Sequence, residues 1–403
     1  MEIGSLPKLP GREAKLQGRN PGEKDREQLQ QVLHLLHAPP ELTDLVERFL
    51  QAEGREQIIN LNSAFNIRLL EIIGLDQVYD GEAQRKEMYQ GVVEHVAGMQ
   101  ELDRQVSFVT KAGFPNTFVP YMYLHPLSII EQIIEQFPND ENNDENIVQA
   151  LHEEEVENIV LDAVHPVKVP ITGAYTLGTW SDLGKFPQEL MKQGMTHHAA
   201  RRKVMEELVY SFADNVINPT LKELAQFGIY RLQIDEPNAS AFHNQQDLLY
   251  EATRRSLAGV TGVEGAARVE LGMHICFSRD YGTVTGIAQI PEIKFLTLEI
   301  ANRDTPDHRA YREVIQAFES AGYKGKYAVG VLDVHTDIIE SPELIKERLL
   351  YAAELVGPER IEAAPDCGLR TRKLSIAVQK LQSLVAGARL AREGYTITGY
   401  NNL

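Results

Sequence analysis

From residue 167 onward this chain alternates short β-branched runs with longer segments of helical apolar spacing, and that order leaves few folds open to it. The runs fall at 167–172, 230–235, 269–277, 293–300, 327–333 and 360–364, while the patterns at 305–321, 341–356 and 371–393 predict helices. Strand, helix, strand in succession makes a parallel pair with a right-handed crossover. Trp180, Asp235, His274, Cys276, Glu299, His335 and Cys367 all come at or just after the predicted strand ends. An open sheet spreads such positions along a crevice, whereas a closed barrel brings every strand C-terminus to one face, where these folds build their sites. The expected fold is α/β, a single (β/α)8 TIM barrel domain over 1–403 with an extra helical N-terminal segment. In that first half, helical patterns fill 24–37, 41–53 and 84–98, and strands are expected at 106–110 and 118–124. The acidic, Asn-rich patch at 138–157 lacks the spacing of a calcium loop and reads as a solvated loop leading into a helix.

The chain has only two cysteines, Cys276 and Cys367. Each closes an apolar run, the first as His274-Ile275-Cys276 and the second as Pro365-Asp366-Cys367-Gly368, and Glu299 ends a third run between them. One imidazole, two thiolates and one carboxylate make a set that suits Zn²⁺ far better than Mg²⁺ or Ca²⁺, because sulfur is a soft ligand. By residue type alone Glu299 reads equally well as a capping carboxylate, and a free cysteine as a small buried hydrophobe.

Composition narrows the partners. The net charge of −18, from 58 acidic against 40 basic residues, argues against nucleic acid and against an anionic membrane as partners. A small polar substrate is expected instead. The N-terminus lacks the apolar core of a signal peptide, and no run approaches the roughly 18 apolar residues of a membrane span. The expected location is cytoplasmic, where two cysteines are ligands or free thiols rather than a disulfide.

Taken together, Ile3-Gly4-Ser5, Gly81-Glu82-Ala83, Thr179-Trp180-Ser181, Gln233-Ile234-Asp235-Glu236-Pro237, Met273-His274-Ile275-Cys276, Leu298-Glu299, Asp333-Val334-His335 and Pro365-Asp366-Cys367-Gly368-Leu369 resemble the catalytic domain of cobalamin-independent methionine synthase. The motifs keep the family's order from residue 3 to residue 369, so the resemblance covers nearly the whole chain. It is similar to a short, core-only member, without the additional N-terminal barrel of the familiar enzyme. The resemblance implies a methyltransferase that moves a methyl group to the thiol of homocysteine, giving methionine. It implies that His274, Cys276, Glu299 and Cys367 hold Zn²⁺, with Glu299 the exchangeable ligand. Ile3, Gly4 and Ser5 would hold the homocysteine carboxylate, and Glu82 and Asp235 its ammonium, two acids complementing one cation. His335 would be the catalytic acid that protonates the departing methyl carrier. Asp333, two residues earlier and on the same face of an extended strand, is expected to orient that imidazole. Trp180, the one tryptophan, matches the position that binds the methyl donor, although a lone tryptophan also fits a core.

The methyl donor is where the sequence departs from the family pattern. Folate-using members carry an Arg-Cys pair that here should fall between Gln105 and Leu124, and a glutamate where this chain has Ala241. Neither is present. The expected donor is therefore methylcobalamin or another methyl-corrinoid, free or on a corrinoid protein, rather than methyltetrahydrofolate. Three alternatives stand beside this reading: a folate-dependent methionine synthase, a zinc thiol alkyltransferase of the coenzyme M type, and a non-catalytic zinc or corrinoid-docking protein. Glu82 and Asp235 weigh against the second, since a sulfonate thiol has no ammonium to receive them, and His335 with Asp333 weighs against the third.

Overall fold

A computed structural model describes residues 1, 5–83, 88–93, 96, 99–103, 106–109, 115–118, 121–123, 162–240, 244–266, 268–276 and 280–399. The chain divides into two compact units, one of 1–84, 155–169 and 294–403, the other of 85–154 and 170–293. The acidic patch at 138–157, Ile3, Gly4 and Ala241 lie outside the described residues.

In the first unit, helices Arg12–Leu16, Glu23–Leu35, Pro40–Gln51 and Arg55–Ile73 make the expected helical N-terminal segment. Pro40 opens the third of these, where its missing N–H would be unpaired in any case. Leu42, Val46 and Phe49, four and three residues apart, form its buried stripe. The helix Arg55–Ile73 is absent from the sequence-based expectation for a physical reason. It buries Asn62, Ser63 and Asn66 along with Ile58, Leu61, Phe65, Ile67, Leu69 and Leu70, so no single apolar stripe marks it.

The strands, numbered along the chain, begin with two short antiparallel pairs. β1 (Met99–Glu101) pairs with β4 (Tyr121–Tyr123), and β2 (Val106–Val109) with β3 (Pro115–Phe118). The single strand expected over 118–124 is thus two strands, and Pro120, which offers no N–H to a ladder, falls between them. Of the helix expected over 84–98, the described part is Gln90–Val93.

Six parallel strands follow, each within two residues of its expected place: β5 (Lys168–Thr172), β6 (Arg231–Asp235), β7 (Glu270–Ile275), β8 (Ile293–Leu298), β9 (Lys326–Leu332) and β10 (Ile361–Pro365). In the second unit β6 and β7 run parallel, with Asp235 opposite His274. In the first unit β9 lies between β8 and β10, parallel to both, with Leu298 opposite Val329 and Ala364 opposite Gly330. Val78 makes a further parallel bridge with Val167. Residues 327 to 332 of β9 are all buried, the continuous apolar run of a strand covered on both faces. This is the α/β fold expected, of the (β/α)8 barrel type. Helix Arg309–Ser320 starts four residues later than the apolar pattern suggests, because His308 before it takes a left-handed backbone, φ 52°. Helix Pro342–Val356 keeps its expected bounds to within a residue, capped by the Ser341 side chain, and helix Leu374–Gly399 follows β10.

Candidate active site

The second unit carries Trp180, Asp235, His274 and Cys276. β7 ends at Ile275, so its last turn of pleat presents His274 and leaves Cys276 just beyond, and both are buried. Asp235 closes β6, half-buried, and accepts a 2.7 Å hydrogen bond from Gln233 Nε2. Gln233 and Asp235 are two apart on one strand and share a face.

The neighbour of Asp235 has a task that residue type does not announce. Glu236 is 1% exposed, and its two carboxylate oxygens accept from Tyr175 N at 3.1 Å, Thr176 N at 2.8 Å and Thr176 Oγ1 at 2.6 Å. These amides are open donors of the first turn of helix Ala174–Trp180, so a carboxylate from the strand next door caps that helix. Burial pushes the Glu236 carboxyl up to about 7, against the pull of these hydrogen bonds, and the charge of Asp235 pushes in the same direction. Gly173 is the residue that allows the approach, since a Cβ there would collide with Glu236 Oε1 and Ile234 Cγ2. At the far end of the capped helix Trp180 is 8% exposed and packs against Tyr89, ring centroids 6.0 Å apart. Tyr89 and Ser181 share a hydroxyl hydrogen bond of 2.9 Å beside it.

The first unit carries Ser5, Glu82, Glu299, Asp333, His335 and Cys367. Glu299 follows β8 directly and is 1% exposed. Its Oε1 meets Asn302 Nδ2 and, at 3.1 Å, His335 Nε2. The partner that holds the imidazole is thus Glu299, in place of the Asp333 expected. The reason is that β9 ends at Leu332, so the alternation that would align Asp333 with His335 stops before it reaches them. Asp333 Oδ1 instead accepts from the His335 backbone N–H at 2.8 Å, closing a tight turn.

Cys367 follows β10 after Asp366, which is wholly buried. Asp366 Oδ1 accepts from the N–H groups of Ile300 and Ala301, and Oδ2 from that of Asn302, each at 2.7 Å. The acid before the cysteine therefore ties the end of β10 to the segment that carries Glu299. Burial, and next the charge of Glu299, push the Asp366 carboxyl well above the usual carboxylate range, with the three amide donors pulling the other way. A Cβ on Gly330 would collide with Asp366 Oδ1, so β9 must be bare at that point for the bridge to form.

On the other side of Cys367 the chain around Ser5 and Leu6 is drawn in. Leu369 N donates to Ser5 O at 2.8 Å, and Leu6 N to Gly81 O at 3.2 Å. Glu82, next to Gly81, is buried and holds a left-handed backbone, φ 61°, which a non-glycine residue adopts only when its surroundings over-determine it. Asp80 supplies that constraint, its carboxylate accepting from Glu82 N at 2.8 Å and Ala83 N at 3.2 Å. The Glu82 carboxylate lies 3.9 Å from Arg370, and Lys8 Nζ donates to the Glu82 carbonyl. Burial lowers the Lys8 ammonium to about 8, although Glu82 and Asp80 pull it up.

Sequence reasoning named the residues that carry reactive groups and missed those that hold them, Glu236, Asp366 and Asp80. The first two were in view as members of Asp-Glu-Pro and Pro-Asp-Cys-Gly. A carboxylate beside a candidate ligand at a strand end, too buried to face water, is the signal that marks them.

A family model described as the catalytic domain of cobalamin-independent synthase matches residues 149–390. The methionine synthase of Thermoplasma volcanium is 31% identical over 361 residues, covering 84% of this chain and 91% of that one. The methionine synthase of Thermoplasma acidophilum is 30% identical over 378 residues, covering 89% and 92%. Among solved structures, a B12-independent methionine synthase from Shewanella sp. W3-18-1 in complex with selenomethionine aligns with a TM-score of 0.63 at 19% identity, over 86% of this chain and 92% of that one. That last likeness is one of fold. The corrinoid donor expected from the missing Arg-Cys pair conflicts with a family described as cobalamin-independent, and a folate donor fits that family better.

Proposed function

This chain belongs to the cobalamin-independent methionine synthase family, and on that premise we propose that it is a zinc-dependent methyltransferase acting between methyltetrahydrofolate and homocysteine. Membership makes it a methyltransferase enzyme of the kind that forms methionine from homocysteine. The observation that carries the zinc reading is the donor set. Among the described residues, the group of His, Cys and carboxylate side chains suited to one metal ion is His274, Cys276 and Cys367. Two thiols and an imidazole fit Zn²⁺ and fit hard cations poorly, and three protein ligands are the number a catalytic site keeps. Glu299, held by Asn302 and His335, would be a weaker, exchangeable oxygen ligand beside these three. When bound, the zinc supplies a thiolate at neutral pH, where a free thiol is mostly protonated.

The remaining chemistry falls to the chain's own side chains. Asp235 and Glu82 present carboxylates to the substrate ammonium, and the backbone and hydroxyl of Ser5, with Ile3 and Gly4, receive its carboxylate. His335, oriented by Glu299, delivers a proton to the donor nitrogen, because a methylated tertiary amine is a poor leaving group until protonated. Trp180 lines the donor side of the site through its packed ring. No helix among the described residues is long and apolar enough to cross a membrane.

The test is methionine formation by zinc-loaded protein from homocysteine, with methyltetrahydrofolate and methylcobalamin in separate reactions. Methionine from methyltetrahydrofolate, slowed about a hundredfold or more in His335→Asn, is the expected result. Methionine from methylcobalamin alone would overturn the donor, and none from either would overturn the reaction.

A further inference from the structure

We propose that Glu340 and Lys380 are positioning residues for His335, through a buried ion pair that fixes the loop on which the imidazole sits. The proposal rests on the reading of His335 as the proton donor. β9 ends at Leu332 and the next helix begins at Pro342, and the stretch between them is turn, bend and irregular chain. Val334 is buried at the start of the loop, but Ile338, near its middle, is 71% exposed, so apolar packing holds one end of the loop and leaves the rest to other contacts.

Glu340 supplies what packing does not. Its Oε1 accepts from the backbone N–H of Asp333 at 2.7 Å, and its Oε2 from Lys380 Nζ at 2.8 Å, so one carboxylate spans the loop from its last residues to its first. Asp333 then accepts from the N–H of His335 at 2.8 Å, which passes the restraint on to the imidazole-bearing residue. Lys380, on helix Leu374–Gly399, is fully buried and also donates to the carbonyl of Ile338. Ser383, one turn further along the same helix, donates to the carbonyl of Glu340. Start, middle and end of the loop are thereby tied to one rigid helix.

A buried ion pair is weak evidence of a stability role, since apolar replacements of similar volume are often neutral or stabilising. What distinguishes this pair is where its other hydrogen bonds go. Each charge spends them on loop backbone next to His335, whose Nε2 stands 3.1 Å from Glu299 Oε1. Holding a proton donor to that tolerance matters, because a misplacement of about 1 Å is enough to slow a reaction roughly a hundredfold.

The test compares the double variant Lys380→Met/Glu340→Gln, which leaves neither charge buried alone, in two backgrounds. With His335 present, kcat at saturating homocysteine and methyltetrahydrofolate should fall about tenfold to a hundredfold while the homocysteine KM stays within about twofold. In a His335→Asn background the same two substitutions should change the residual rate by less than about twofold, since residues that act through one another are not additive. Amide exchange over 333–340 should accelerate. Glu340→Gln alone, which keeps an acceptor for the Asp333 N–H, should be milder than Glu340→Ala. Equal loss in both backgrounds, or unchanged exchange over 333–340, would overturn the positioning role. Full turnover by His335→Asn alone would instead remove the acid reading on which it rests.

Discussion

Replacing Asp366 by asparagine should cost about 2–3 kcal/mol of stability, a figure that follows from three hydrogen bonds and the geometry of an amide. The wild-type carboxylate takes two N–H donors on Oδ1, from Ile300 and Ala301, and a third on Oδ2, from Asn302. Asparagine keeps one oxygen, which can hold the first two. Its NH₂ then faces the Asn302 N–H, donor against donor. One part-buried bond is lost and its N–H left facing a second donor, and the lost bond together with the repulsion between donors is worth about 2–3 kcal/mol. Alanine would leave all three amides unmet beneath a side chain that is wholly buried, and should cost about 4 kcal/mol or more. The measurement is the urea midpoint of wild type, Asp366→Asn and Asp366→Ala at one pH, with amide exchange at 300–302. In the asparagine variant the Asn302 amide should exchange fastest of the three. A variant within about 0.5 kcal/mol of wild type, the scatter of an ordinary surface substitution, would refute the reasoning, as would an Asn302 amide that exchanges no faster than before.

Purified protein should contain one zinc per chain, and Cys367→Ser should lose most of it while the fold survives, because a catalytic site, unlike a zinc finger, is not the core of its domain. Metal analysis beside a far-ultraviolet spectrum checks both halves. Asp235→Asn should weaken the use of homocysteine by the roughly 1.5–3 kcal/mol of a hydrogen bond to a charged group and leave a thiol without an amino group nearly unaffected. Equal loss on both thiols would make Asp235 structural. For pH, Glu236 is raised in the folded state from 4.5 to about 7. A group raised on folding holds its proton more tightly in the native state, so its contribution is present below pH 4.5 and is lost as pH rises towards 7. Wild type should therefore lose stability relative to Glu236→Gln across that interval, and parallel stability curves for the two would contradict the assignment.

Much of this protein is legible in its sequence because the signals are local. The strands β5 to β10 stand out as β-branched runs, and their ends pick out Asp235, His274, Cys276, Glu299 and Cys367 without any knowledge of what lies beside them. A period of two and a thiol at its end survive in one dimension. Helices hidden on all sides do not. Arg55–Ile73 and Ala174–Trp180 are buried around most of their circumference, so neither shows the stripe that betrays a surface helix, and the second exists with its first turn capped by a residue 60 positions away.

Residue type and spacing are properties of the chain alone, and they suffice to pick out the reactive groups and the strand ends that bear them. Which group answers to which is settled only on folding. His335 turns to Glu299 and not to Asp333, Glu236 serves a helix and not a substrate, and Asp366 and Glu340 reach across to backbone that sequence distance gives no reason to expect. Burial is the cause. A carboxylate in water needs no particular partner, but one removed from water must find donors wherever the packed chain provides them, and those positions are set by the fold rather than by neighbours in sequence.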